Sequence, residues 1–116
     1  MVIKIVANPI KRIELLELAR EEFRDVIKAA VDIEQEIMAV GGELHADEEV
    51  FLQEEANSKR EHVWGINFYP QKSTDDWIEF DSMINLKPTL GNRSRTIKDP
   101  AVLKKIKEIV NKLVID

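Results

Sequence analysis

Five acidic residues and a short basic loop carry most of the chemistry this chain could do. Asp32, Glu34, Glu79 and Asp81, with Glu36 beside them, fall in two segments of alternating apolar and polar residues. Far from them in sequence is the stretch GNRSR, containing Asn92, Arg93, Ser94 and Arg95. Guanidinium forks suit carboxylates and phosphates, and a glycine-led loop exposes backbone N–H groups to an anion. Two roles compete for the arginines. They can turn back onto Glu79 and Asp81, which lie in the strand just before the loop, and neutralise them. They can also hold a small anionic ligand, with Asn92 and Ser94 adding hydrogen bonds. Internal pairing ranks first and anion binding second.

The carboxylates have a reading of their own. Neighbouring strands are only about 5 Å apart, so like charges on one sheet face repel. A solvated acidic face ranks ahead of a network closed by arginines and lysines, and that network ahead of a metal site. In the last case Asp32, Glu34, Glu79 and Asp81 would hold a divalent cation, with His45 of the string GGELHADEE as a further ligand. Asp81, Glu79 and His45 are then also the candidate catalytic groups. The spacing around His45 is neither HExxH nor the twelve-residue calcium loop. No phosphate-cradling GxxxxGK[ST] and no GxSxG is present, and Ser94 has no identifiable histidine–acid partner.

The elements that must position these groups follow from periodicity. Residues 2–7 read as a short strand bounded by Asn8-Pro9. Asn8 is placed to cap a helix over about 9–23, with Pro9 at its first position. A closing helix starts at Pro100 under an Asp99 cap, with Val102, Leu103, Ile106, Ile109, Val110 and Leu113 on one stripe. Between the helices the period changes to two. Ile27 to Ile37 reads as one half-buried strand with an acidic outer face, and Gly41-Gly42 as a hairpin turn. Residues 43–56 are ambiguous; the turn-like Ala56-Asn57-Ser58-Lys59 favours a strand around 49–55 over a helix opened by Asp47. Residues 61–69 form a strand with Trp64, Ile66 and Phe68 on one face, residues 70–76 a polar loop. WIEFDSMINL at 77–86 alternates as a strand, and 87–98 is a loop. The expected fold is α+β: a two-layer domain spanning 1–116, with an antiparallel sheet of four or five strands and both terminal helices on one face.

The strings GGELHADEE, VWGINFYP, WIEFDSMINL and GNRSR, in that order before a terminal amphipathic helix, resemble a family of short uncharacterised bacterial and archaeal proteins, a domain of unknown function. The resemblance spans about 25–115. It implies a stand-alone domain and carries over no catalytic residue.

Composition narrows the function classes. Twenty-two acids against 17 bases give a net charge of −5, so nucleic acid is disfavoured as a partner. Without cysteine there is no disulfide framework, thiolate nucleophile or Cys-ligated metal. The apolar start is too short for a signal-peptide core, and no run approaches a membrane span, so a cytoplasmic protein without a membrane partner is expected. Trp64, Trp77, Tyr69 and Met83 would leave an apolar patch on the uncovered sheet face. The leading expectation is therefore a small, self-associating binding or interaction domain. The alternative is a metal-dependent hydrolase of a phosphate ester or similar anion.

Overall fold

The computed structural model describes residues 2–73 and 75–116, the side chain of Asp75 excepted; Thr74, within the expected 70–76 loop, lies outside the described residues. The fold is α+β. In chain order it comprises β1 (Lys4–Val6), β2 (Ile10–Lys11), α1 (Arg12–Glu21), β3 (Ile27–Asp32), β4 (Ile37–Val40), α2 (His45–Ala56), β5 (Val63–Phe68), β6 (Ile78–Glu79), α3 (Pro100–Leu113) and β7 (Val114–Ile115). Five strands form one antiparallel sheet in the order β1-β4-β3-β5-β6, and β2 and β7 make a separate parallel pair. Among the described residues no helix is long and apolar enough to cross a membrane.

Apolar residues from both sides of the sheet are buried. Ile27, Ala29, Val31, Met38, Val40, Trp64, Ile66 and Phe68 share one cluster with Leu15 and Ala19 of α1 and Ile106, Ile109, Val110 and Leu113 of α3. Ala30, Ala39 and Val63 share the other with Leu52 and Ala56 of α2. Period-two alternation sends Ala29 and Ala30 to opposite faces, and both are fully buried. The expected two layers are therefore three, because α2 (His45–Ala56), within the ambiguous 43–56 segment, covers the second face. Its Glu, Gln, Leu and Ala residues favour a helix, and Asn57 ends it in the left-handed conformation (φ 55°). The small side chains of Ala30 and Ala39 leave room for it.

Four other expectations change locally. The strand from Ile27 to Ile37 breaks after Asp32, whose Oδ1 accepts from the backbone N–H groups of Glu34 (2.9 Å) and Gln35 (3.0 Å). A short polar side chain that satisfies two downstream amides reverses the chain, so the hairpin turn is 33–36 and not Gly41-Gly42. Gly42 serves close packing instead: a Cβ there would lie 2.7 Å from Glu48 Cγ. Pro9 does not open the first helix, because Ile10–Lys11 pairs with β7. The helix begins at Arg12, with Glu14 Oε2 accepting from the Lys11 amide at 2.7 Å. It ends at Glu21, leaving Phe23 exposed rather than on the apolar stripe. The 77–86 alternation yields only the short β6 and an isolated bridge between Asp81 and Thr96. Ser82 Oγ then accepts from Ile84 N (3.3 Å) and opens a 3-10 turn, which carries Ile84 into the α2-side cluster. The closing helix starts as expected, with Asp99 Oδ1 accepting from Ala101 N at 2.9 Å.

Candidate functional site

The GNRSR loop is organised by its asparagine. Asn92 is buried, and its Nδ2 donates to the carbonyls of Asn85 (2.8 Å), Ser94 (3.0 Å) and Thr96 (3.1 Å). Its Oδ1 accepts from the Lys98 amide at 3.0 Å. One amide side chain thus satisfies backbone groups that no ladder serves. Asn85 does the same at the edge of β5. Its Oδ1 accepts from Gly65 N (2.8 Å), and its Nδ2 donates to Gly65 O and Arg95 O, both at 3.0 Å. Gly65 must be glycine for this edge to close, since a Cβ would lie 2.5 Å from Ser82 Cβ. Ser94 Oγ donates to Thr96 O. Arg95 forks onto Asp81, Nε to Oδ1 at 3.1 Å and Nη2 to Oδ2 at 3.3 Å. Arg93 is exposed and makes no hydrogen bond or ion pair among the described residues.

The candidate acids are dispersed. Asp32 is buried in its turn, where Oδ2 also accepts from Ser58 Oγ (2.7 Å) and Gln35 Nε2 (2.9 Å). Burial pushes its pKa up, but the hydrogen bonds from Ser58, Gln35 and Glu34 outweigh this and hold it below the usual carboxylate value. Glu34 is exposed. Glu36 lies between Lys105 (3.2 Å) and Lys112 (3.5 Å), and the Lys105 hydrogen bond and charge lower its pKa most. Glu79 sits opposite Asn67 across the β5–β6 pair; its Oε1 accepts from Asn67 Nδ2 (2.8 Å) and Tyr69 OH (3.3 Å). His45 opens α2, and its Nε2 meets Ile66 O at 2.9 Å. A carbonyl only accepts, so Nε2 carries the proton. Burial lowers the pKa of this imidazole, which leaves Nδ1 as its lone-pair nitrogen in the neutral form. Among the described residues no three acidic or histidine side chains gather in a way that could hold a metal.

The apolar patch expected on the second face is also differently distributed. Trp64 is buried in the core, and Trp77 is half-buried, stacked on Phe68 at 4.8 Å with the Arg12 guanidinium 4.1 Å from its ring centroid. Tyr69 is half-buried, and only Met83 of the four is exposed.

Other groups, outside the patterned strand acids and the GNRSR loop, carry the most perturbed chemistry. The buried face of α2 is Glu48, Glu49 and Leu52, while Val50 is exposed. Glu48 Oε2 accepts from Gly42 N at 3.0 Å, and Oε1 is buried with no partner among the described residues. Burial pushes its pKa up to about 9, against the opposing pull of the Gly42 amide and Lys28. Glu49 is raised by burial, opposed by the charges of Lys87 and Arg60, and Lys87 is lowered by burial. Lys87 Nζ donates to Arg60 O at 2.9 Å and lies 5.2 Å from the Trp64 ring centroid. The spacing of His45, Glu48 and Glu49 at i, i+3 and i+4 would have put all three on one face once 43–56 was read as a helix.

Two pockets flank the 86–92 turn. One is a cleft of about 590 Å³ whose walls include Ile33, His62, Trp64, Leu90, Asn92 and Lys98. The other, about 490 Å³, includes Arg60, Lys87 and Thr89 and shares Glu61 and Leu90 with the first. Both fall within the roughly 300–1,000 Å³ typical of small-molecule sites. Trp64 is 3% exposed, and its indole N–H is buried with no acceptor among the described residues. Indole nitrogen only donates, and an unmet buried donor costs about 1–3 kcal/mol.

No curated protein and no solved structure matches this chain. A family model described as a protein of unknown function, DUF5674, matches residues 4–113. The three-layer fold, the asparagine-organised loop and the two pockets thus belong to a member of the DUF5674 family, whose function is unknown.

Proposed function

We propose that the protein is a small-molecule binding domain whose ligand, an organic anion, lies in the cleft over Trp64. The observation that carries this reading is that Trp64, which lines the cleft, has a buried indole N–H with no acceptor within the described residues. A carboxylate or phosphate oxygen would meet that donor and remove its cost. Lys98 on the cleft wall supplies positive charge, and the exposed Arg93 follows the wall residue Asn92 in the chain. Glu61 and Asp99 also line the cleft, but Asp99 is engaged in capping α3. Asn92 holds the Lys98 backbone in place, so the loop acts as the scaffold of the site and Arg93 as its arm.

The test is tryptophan fluorescence with thermal denaturation, using Trp77→Phe so that Trp64 is the single reporter. Phosphate, citrate and benzoate are the probes. At least one should shift the Trp64 emission and raise Tm, and Lys98→Ala should weaken that effect several-fold. If none does so at millimolar concentration, the reading fails.

A further inference from the structure

Among the described residues Lys87 is the one lysine that the fold buries, with 7% of its surface exposed, yet it lines the 490 Å³ pocket beside the Trp64 cleft. Its Nζ is held by a single hydrogen bond, to Arg60 O. Three charged groups face this region: Glu49 from α2, Arg60 from the 60–62 turn, and Glu61 on the pocket wall. Glu49 Oε2 is buried without a partner among the described residues, and Oε1 is 3.9 Å from Arg60 Nε, too far for a hydrogen bond. The Arg60 side chain is 78% exposed, so its fork remains open to an incoming carboxylate.

We propose that Lys87 is an imine-forming nucleophile for a small 2-oxo acid, with Glu49 as proton donor and Arg60 as the holder of the substrate carboxylate. Imine formation requires an uncharged amine. Burial favours that form of Lys87, and the nearby Arg60 charge reinforces it against the opposing pull of Glu49. The same burial favours the protonated form of Glu49. The Nζ lone pair forms the C–N bond while the carbonyl oxygen takes the Glu49 proton. Nζ of the resulting carbinolamine returns one proton to Glu49, which passes it to the hydroxyl so that water leaves, and the second Nζ proton then goes to Glu49 as the C=N bond is left. Amine and carbonyl become imine and water, with no oxidant or further reactant. This site shares two wall residues with the Trp64 cleft but does not depend on it.

The wild-type protein is incubated with glyoxylate and sodium cyanoborohydride at pH 7, and the trapped secondary amines are located by peptide mass mapping. Lys87 should be modified several-fold faster than the exposed Lys104 and Lys107, because burial favours its neutral form. Labelling at Lys87 no faster than at those two overturns the proposal. Arg60→Gln should slow glyoxylate capture several-fold and leave acetaldehyde capture at Lys87 unchanged. An equal fall for both removes the carboxylate-holding role. Glu49→Gln should slow both probes, and unchanged rates would remove it as proton donor.

Discussion

Replacing Glu48 by glutamine should change the pH dependence of stability more than any other single substitution in α2. The carboxyl is fully buried, and its pKa rises from 4.5 to about 9 on folding. The unfolded chain therefore releases this proton first. Stability is full below about pH 4.5 and is lost as pH rises toward 9. Within that window the loss is about 1.4 kcal/mol per pH unit, or about 4 kcal/mol between pH 5 and pH 8. Such a loss is a large part of the 5–15 kcal/mol typical of a folded domain. Glutamine keeps the shape and the acceptor for the Gly42 amide, and its Nε2 takes the place of the unpartnered Oε1. The comparison thus isolates the titration. Urea denaturation of both proteins at pH 5, 6, 7 and 8 would show wild type falling relative to Glu48→Gln by about 4 kcal/mol across the series. Parallel curves, within about 1 kcal/mol, would mean that Glu48 ionises in place and that Lys28 or water compensates its charge.

Three further outcomes separate scaffold from site in the 91–96 loop. Asn92→Ala removes four hydrogen bonds to backbone groups, and at about 1 kcal/mol each, less partial resolvation, should destabilise by about 3 kcal/mol in urea. A loss under about 1 kcal/mol would show that the loop holds itself. Arg95→Ala breaks a half-exposed pair with Asp81 and should cost no more than about 1 kcal/mol. Arg93→Ala should leave stability within about 0.5 kcal/mol and weaken binding of the anionic probes several-fold. Unaltered probe binding by calorimetry would remove Arg93 from the site.

Elements whose pattern coincides with their capping chemistry were legible in the sequence. Asp99-Pro100 and the stripe from Val102 to Leu113 locate α3 because cap, first residue and apolar face agree. The alternation through Trp64, Ile66 and Phe68 locates the core face of β5. Two misread strands share a physical cause: a local side-chain hydrogen bond overrode the period. Asp32 folds back on the amides of Glu34 and Gln35, and Ser82 on that of Ile84. Each turned the chain where hydrophobic alternation would have continued a strand.

The helix α2 was hidden for a different reason. Its buried face is Glu48, Glu49 and Leu52, and the Leu44 before it is exposed, so no apolar stripe marks it. Burial of two carboxyls is costly unless each is neutralised or paired, and the fold answers it twice. Glu48 is held protonated against the Gly42 amide, and Glu49 lies near Lys87 and Arg60. The acids that sequence patterning picked out are, by contrast, mostly bound into turns and ion pairs. Asp32 organises a hairpin, Glu36 faces two lysines, and Asp81 receives Arg95. Surface-type acids thus closed the structure, while groups read as part of an ambiguous segment and a connecting loop became the ones whose protonation the fold controls. The arginines divide in the same way. Arg95 is half of a structural pair, and Arg93, two residues earlier on a loop fixed by Asn92, is exposed and makes no hydrogen bond or ion pair among the described residues.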